Sequence, residues 1–243
     1  GTSKDGAQTG AIELYPTVCE VLNTAKPLPF QLDQGEKVDE ALRLKYRYLD
    51  LRRPEMSGNL IMRHRITQAV RRYLDTEGFI EVETPMLHPI LGGASAKPFM
   101  THHNALDATF YLRVAPELYL KKLIVGGFAD SVYEIGRNFR NEGLSVKHNP
   151  EYTAIEGYHA YMDYFDIMNL IEDMIRFVVL AVHGTTQVQY GDQIIDFGPP
   201  WARKSMVDLV KEETGVDFLK FDTAEEAREA ALGLGIKVDP KSK

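Results

Sequence analysis

One cysteine in 243 residues, Cys19, leaves no partner for an intrachain disulfide. The chain therefore fits a reducing compartment, and with no reactive-thiol motif around it Cys19 reads as a small buried hydrophobe. No stretch of about 18 uncharged apolar residues occurs either, which excludes a membrane-spanning helix. The longest apolar candidate, Ile167 to Val182, is interrupted by Glu172, Asp173 and Arg176. The opening Gly1-Thr2-Ser3-Lys4-Asp5 lacks the apolar core of a secretion signal. Positive charge is also short: 28 Lys and Arg against 35 Asp and Glu give a formal charge of −7, so the chain has no overall basic footprint of a nucleic-acid binder. Two local basic clusters, Arg43, Lys45, Arg47, Arg52 and Arg53, then Arg63, His64, Arg65, Arg71 and Arg72, read as solvated or ion-paired helix faces before phosphate contacts. No Walker loop and no G-x-G-x-x-G opens a helix, which disfavours phosphate capture by those folds.

What is present is an ordinary globular composition, 44% hydrophobic and 26% charged. Residues 1–32 read as a tail of short strands ending in the linker-like Lys26-Pro27-Leu28-Pro29-Phe30, and residues 33–243 as the main domain. A helix is expected from a cap at Asn59 to a stop at Gly78, with Leu60, Ile66, Val70, Tyr73 and Leu74 near one stripe. A strand over Phe79 to Glu83 follows, closed by Pro85. Pro116 suits the first turn of a helix through Leu118 to Val125, stopped by Gly126-Gly127. Asp163 caps a helix with Ile167, Leu170, Ile171, Met174, Ile175 and Val178 at helical spacing. Val188 to Tyr190 and Ile194 to Phe197 pair through Gly191-Asp192, and Thr223 with Glu226 signs a last capped helix that Gly233 stops. Helices interleaved with hairpin-linked strands predict α+β architecture, an antiparallel sheet flanked by helices.

The chemistry concentrates at Arg140-Asn141-Glu142-Gly143 and His148-Asn149-Pro150-Glu151-Tyr152, a polar loop between two strands. On the incoming strand Tyr133, Ile135 and Phe139 share a face. On the outgoing one Tyr152, Ala154, Glu156, Tyr158 and Ala160 do. An acid between two tyrosines either buries a carboxylate at a cost or lines a wet cavity. An arginine and a glutamate at its mouth can grip a phosphate and an amine, which points to a nucleotide and amino-acid site.

Phe139 to Gly143 with His148 to Tyr152 resembles motif 2 of the class II aminoacyl-tRNA synthetases, lysine type, and Gly78 to Pro85 resembles motif 1. Gly92-Gly93-Ala94-Ser95-Ala96-Lys97-Pro98-Phe99 and Ala115-Pro116-Glu117-Leu118-Tyr119-Leu120-Lys121 are similar to the lysine enzymes in order and spacing, and the likeness runs from about Leu42 to Phe218. It implies the class II catalytic fold, ATP-dependent activation of lysine with transfer to tRNA(Lys), a homodimer through motif 1, and a cytoplasmic enzyme. For ATP it implies Arg140, Glu142 on the adenine amino group, His148 and Asn149 in the closing loop, and Tyr152 stacked on adenine where a phenylalanine is usual. For lysine it implies Arg140 on the carboxylate, Glu117 and Glu156 on the α-ammonium beside the Gly93 carbonyl, and Tyr158 toward the distal amine. Arg140 bridging two anions is the catalytic candidate. A lone Glu117 has a plainer role as a first-turn acid favoured by the helix dipole.

Leu42 to Pro54 looks closer to bacterial aspartate enzymes, but aspartate would be repelled by Glu117 and Glu156, so lysine is expected. Gly233-Leu234-Gly235 only superficially resembles motif 3, since the last arginine is Arg228. The resemblance thus implies that the second ATP arginine, the acids for Mg2+ and the distal-amine acid lie beyond Lys243, and that residues 1–32 are a remnant of an OB-fold anticodon-binding domain. No metal ligand is expected within the chain. Two other readings stay open: a paralogue that attaches lysine to a translation factor, and a catalytically inactive dimer-forming fragment.

Overall fold

The structure, a computed structural model, describes residues 15–143, 145 and 147–239, in two compact units that divide after Arg63. Residues 15–29 carry no helix or strand and are exposed. The expected short strands are thus absent from the described part of the tail, and residues 1–14 lie outside it. Cys19 is exposed rather than buried, because nothing in this segment packs over it.

The first unit holds a 3-10 turn at Leu32–Lys37, then α1 (Glu40–Lys45) and α2 (Arg47–Asp50). Asp39 caps α1 by accepting from the Ala41 and Leu42 amides. Asp50 is fully buried and accepts from Arg47 at 2.8 Å and Arg53 at 3.1 Å, with Arg43 at 3.9 Å. Part of the first basic cluster is therefore ion-paired. The unit boundary falls inside α3 (Pro54–Thr76). This helix starts at Pro54, not at the expected cap Asn59, which is an exposed interior residue. Proline presets the helical φ and lacks only an amide that the first turn leaves unpaired, and the Ser57 amide already bonds the Arg53 carbonyl at 3.0 Å.

In the second unit the chain continues through β1 (Ile80–Glu81), β2 (Leu87–His88), β3 (Met100–His103), β4 (Ala108–Leu112), α4 (Glu117–Val125), β5 (Ser131–Phe139) and β6 (Glu151–His159). It ends with α5 (Tyr164–His183), β7 (Gln187–Tyr190), β8 (Gln193–Asp196), α6 (Met206–Thr214) and α7 (Ala224–Gly233). β5 and β6 form a nine-residue antiparallel hairpin, while β1 pairs with β5 in parallel and is shorter than the expected Phe79–Glu83 strand. β2, β4 and β3 make a second antiparallel sheet, and β7 with β8 the expected hairpin. Helices flank these mainly antiparallel sheets, in keeping with the α+β reading. Asp163 and Thr223 each close a capping box, and Gly184 ends α5 at φ 73°. At the end of α7 the left-handed residue is Gly235 rather than Gly233.

The core lies on the odd-numbered face of the hairpin. Tyr133 packs with Tyr73, Leu74 and Phe79, and Ile135, Leu170 and Met174 close round them. Burial pushes the Tyr133 phenol up to about 12, helped by the neighbouring Glu81 charge. Below the opposite face, buried His88 donates from Nε2 to the Pro85 carbonyl at 2.8 Å and rests against Tyr119 of α4, ring centres 4.8 Å apart.

Burial is the main cause that lowers the His88 pKa below the ordinary value of 6.5. A depressed base binds its proton more readily when unfolded, so its contribution is complete above that ordinary value. It is lost as pH falls from there through the folded-state value. Thermal melting of this chain should therefore drop as pH is lowered below about 6.5, and His88→Gln, which keeps a donor for Pro85, should flatten that part of the curve. An unchanged slope in the variant would remove His88 as its source.

Candidate active site

The even-numbered face of the same hairpin is polar. Antiparallel register sets Asn138 opposite Tyr152, Gly136 opposite Ala154, Glu134 opposite Glu156 and Val132 opposite Tyr158. Residues directly opposite share a face, so the expected row Tyr152, Ala154, Glu156 and Tyr158 does line one side. Along β6 each of its side chains is half-buried, and the intervening Glu151, Thr153 and Ile155 are exposed.

At the loop end, Arg140, Glu142, Gly143, Lys147, His148, Asn149 and Tyr152 line a cavity of about 310 Å³. All five residues expected to face ATP thus meet in one place, joined by Lys147, which the sequence reading did not single out. The Arg140 amide is held by the Pro150 carbonyl at 2.8 Å, and its guanidinium lies 5.4 Å over the Tyr152 ring. Arg140 Nε is buried without a hydrogen-bond partner, and no ion pair to Arg140 exists among the described residues. A buried, unspent guanidinium donor in an open cavity suits an anion. His148 Nδ1 meets Ser145 Oγ at 2.7 Å, closing a small turn over the cavity. The neighbouring Asn141 amide bonds the Lys97 carbonyl at 2.8 Å, which ties the Gly92–Pro98 loop to this end.

The acidic end lies some four residues further along β6, roughly 13 Å at the usual strand rise. Tyr158 donates to Glu156 Oε1 at 2.7 Å. Burial, then that bond, then the charges of Glu156 and Glu117 raise the phenol well above the ordinary tyrosine value, so it remains a donor. Glu117 sits in the first turn of α4, paired to Lys121 at 2.6 Å, and the Lys121 ammonium lies 5.4 Å over the Tyr158 ring. The first-turn position suits the helix-dipole role, and the Glu117 charge also reaches Tyr158. Gly93 adopts φ 91°, and a Cβ there would stand 3.2 Å from the Glu117 Cβ, so glycine permits the close approach. Glu117, Glu156, Tyr158 and Gly93 thus lie near one another at this end.

Beneath the row lies a cluster that the sequence reading missed. Arg113, fully buried between β4 and α4, donates from Nε to the Arg137 carbonyl at 2.8 Å and pairs through Nη1 with Glu134 at 2.5 Å. Thr84 joins them, accepting from Arg113 at 3.1 Å and donating to Glu134 at 2.6 Å. Arg113 Nη2 and Asn138 Oδ1 are buried without partners. A Cβ on Gly136 would fall 2.2 Å from Nη2. A glycine inside a strand pattern signals such an approach, and Gly136 was the one available hint. Among the described residues no group of three or more His, Cys, Asp or Glu is arranged for a metal ion.

Residues 39–232 match the family described as tRNA synthetases class II (D, K and N). The chain is 54% identical over 226 residues to the lysine–tRNA ligase of Clostridium novyi, covering 92% of this chain and 44% of that protein. It is 53% identical over 224 residues to the lysine–tRNA ligase of Bacillus subtilis, covering 91% of this chain and 44% of that one. The Moorella thermoacetica lysine–tRNA ligase is 51% identical over 216 residues, 88% of this chain and 44% of that protein. The chain spans less than half the length of these curated relatives.

Proposed function

Because the chain belongs to the class II tRNA synthetases of the D, K and N group, we propose that it supplies the nucleotide and amino-acid side of a lysine–tRNA ligase. The observation that carries the reading is one strand face with an unspent guanidinium at one end and two carboxylates at the other. Lysine and ATP fit that polarity: anionic groups meet at Arg140 and an ammonium at Glu117 and Glu156. In the reaction a lysine carboxylate oxygen attacks the α-phosphorus, the bond to the bridging oxygen breaks, and pyrophosphate leaves. Arg140 holds both anions together and stabilises the charge that builds between them. Glu142 accepts from the adenine amino group, Tyr152 lies under the base, and His148 and Asn149 close on the phosphates. Tyr158 and Glu156 orient the amino acid, with the Gly93 carbonyl alongside. Mg2+ would accompany ATP, with its acidic ligands in the stretch of the relatives' length that this chain does not span.

The acceptor is tRNA(Lys), as the names of the relatives suggest, in preference to a protein acceptor; charging of tRNA separates the two. A cytoplasmic homodimer through the motif 1 segment goes with this reading. The exposed Ile66 of α3 and Ile80 of β1 support the dimer.

Each missing charge-assisted contact is worth roughly 1.5–3 kcal/mol, so lacking several lowers affinity by orders of magnitude. This polypeptide should thus bind ATP and lysine weakly and give little lysine-dependent ATP–pyrophosphate exchange, beside robust exchange from a version extended to the length of its relatives. Equal rates would make the remainder dispensable. No exchange in the extended protein would sink the ligase reading.

A further inference from the structure

Glu134 and Glu156 stand directly opposite each other on the polar face of the hairpin. Like charges in that relation repel unless a cation matches one of them. Only Glu156 is half-open to a ligand; Glu134 is buried, paired with Arg113 and bonded by the Thr84 amide and hydroxyl. We propose that Arg113 is a positioning residue for amino-acid binding: by holding the charge of Glu134, it leaves the charge of Glu156 to the ligand's ammonium.

This role rests on the ligase reading above and adds a residue to it. The cation is fixed from outside the hairpin, four residues before Glu117, so one side chain joins the start of α4 to β5. It never reaches the substrate, being fully buried. Its guanidinium lies over Gly136, where the absent side chain leaves room, in the row beside the Glu134 and Glu156 pair. Tyr158 bonds Glu156 from its own strand, and Glu117 and Lys121 of α4 lie close to Tyr158. Glu117 and Lys121 balance each other at 2.6 Å, and Tyr158 stays a neutral donor. Glu134 is therefore the acid opposite Glu156 whose neutralisation depends on a residue outside the ligand pocket.

The test is a double-mutant cycle in the protein extended to the length of its relatives, read by lysine-dependent ATP–pyrophosphate exchange. Arg113→Gln leaves two opposed carboxylates, and Glu134→Gln leaves an unmatched cation beside an ammonium pocket. Each should raise the KM for lysine about tenfold or more and leave the KM for ATP nearly unchanged. The double variant removes both charges and should bring the lysine KM back to within about threefold of the parent. A purely structural role would spread the losses over both substrates, and the double variant could recover even then, because removing both partners of a buried pair is often near neutral. The selective change in the lysine KM is therefore the deciding readout. Arg113→Lys covers the case of poor folding: it keeps the charge and loses the fork geometry, so its melting point should fall while its lysine KM holds. A lysine KM that is unchanged in Arg113→Gln, worse in the double variant, or raised in Arg113→Lys as in Arg113→Gln would overturn the proposal. A parent without lysine-dependent exchange would instead remove the ligase reading, and the role of Arg113 with it.

Discussion

Arg140→Ala should abolish lysine-dependent ATP–pyrophosphate exchange in the extended protein and leave the fold standing. The two halves of that expectation have different magnitudes. Removing a charge-assisted contact made to the reacting anions costs about 3 kcal/mol or more of barrier, a hundredfold or greater in rate. What the fold loses is the guanidinium's contact with the Tyr152 ring, 5.4 Å away, worth about 0.5–1 kcal/mol at a partly exposed position. The backbone bond from the Arg140 amide to Pro150 does not depend on the side chain. Exchange and circular-dichroism melting measured together separate the effects. Near-normal exchange in a folded variant would show that Arg140 does not hold the reacting groups.

Gly136→Ala should be the most damaging single methyl in the hairpin. Its Cβ would stand 2.2 Å from Arg113 Nη2 and 2.9 Å from Glu134 Oε1. A free arginine end would swing aside at little cost, but this one is fully buried and fixed by Arg137, Thr84 and Glu134. Moving it strands part of a buried ion pair, which costs about 3–5 kcal/mol. At a few degrees per kcal/mol for a domain of this size, the melting midpoint should fall by about 10 °C. A midpoint within a degree or two of the parent would mean that the guanidinium is not clamped.

Features encoded over short distances were legible in the sequence. Asp163 and Thr223 cap because their partners lie three residues on, and the two-residue period of a strand brings Glu156 and Tyr158 to one face. The residues grouped at Arg140 were implied by the resemblance to motif 2, on a polar loop between two strands. What escaped was long-range or ambiguous. Arg113 finds Glu134 across 21 positions and Thr84 finds it across 50, and nothing local distinguishes that arginine from a surface one. Asn59 and Pro54 are both acceptable helix starts, and the choice fell to the proline. The small sheet of β2, β3 and β4 went unseen because its strands are short and β3 is exposed throughout, so no hydrophobic period marks it.

The hairpin of β5 and β6 has a further consequence for errors in folding. Its odd face carries Tyr133 into the core and its even face carries Glu134 under the ligand row. If β6 slipped by one residue against β5, its whole side-chain set would turn over, sending Glu156 toward Leu74 and Phe79 and Ile155 into the pocket. Such a chain would not be a slower enzyme; it would have a charge in its core and fail to close. The packing that makes the domain stable thus also selects the register in which Glu156 and Tyr158 share the polar face.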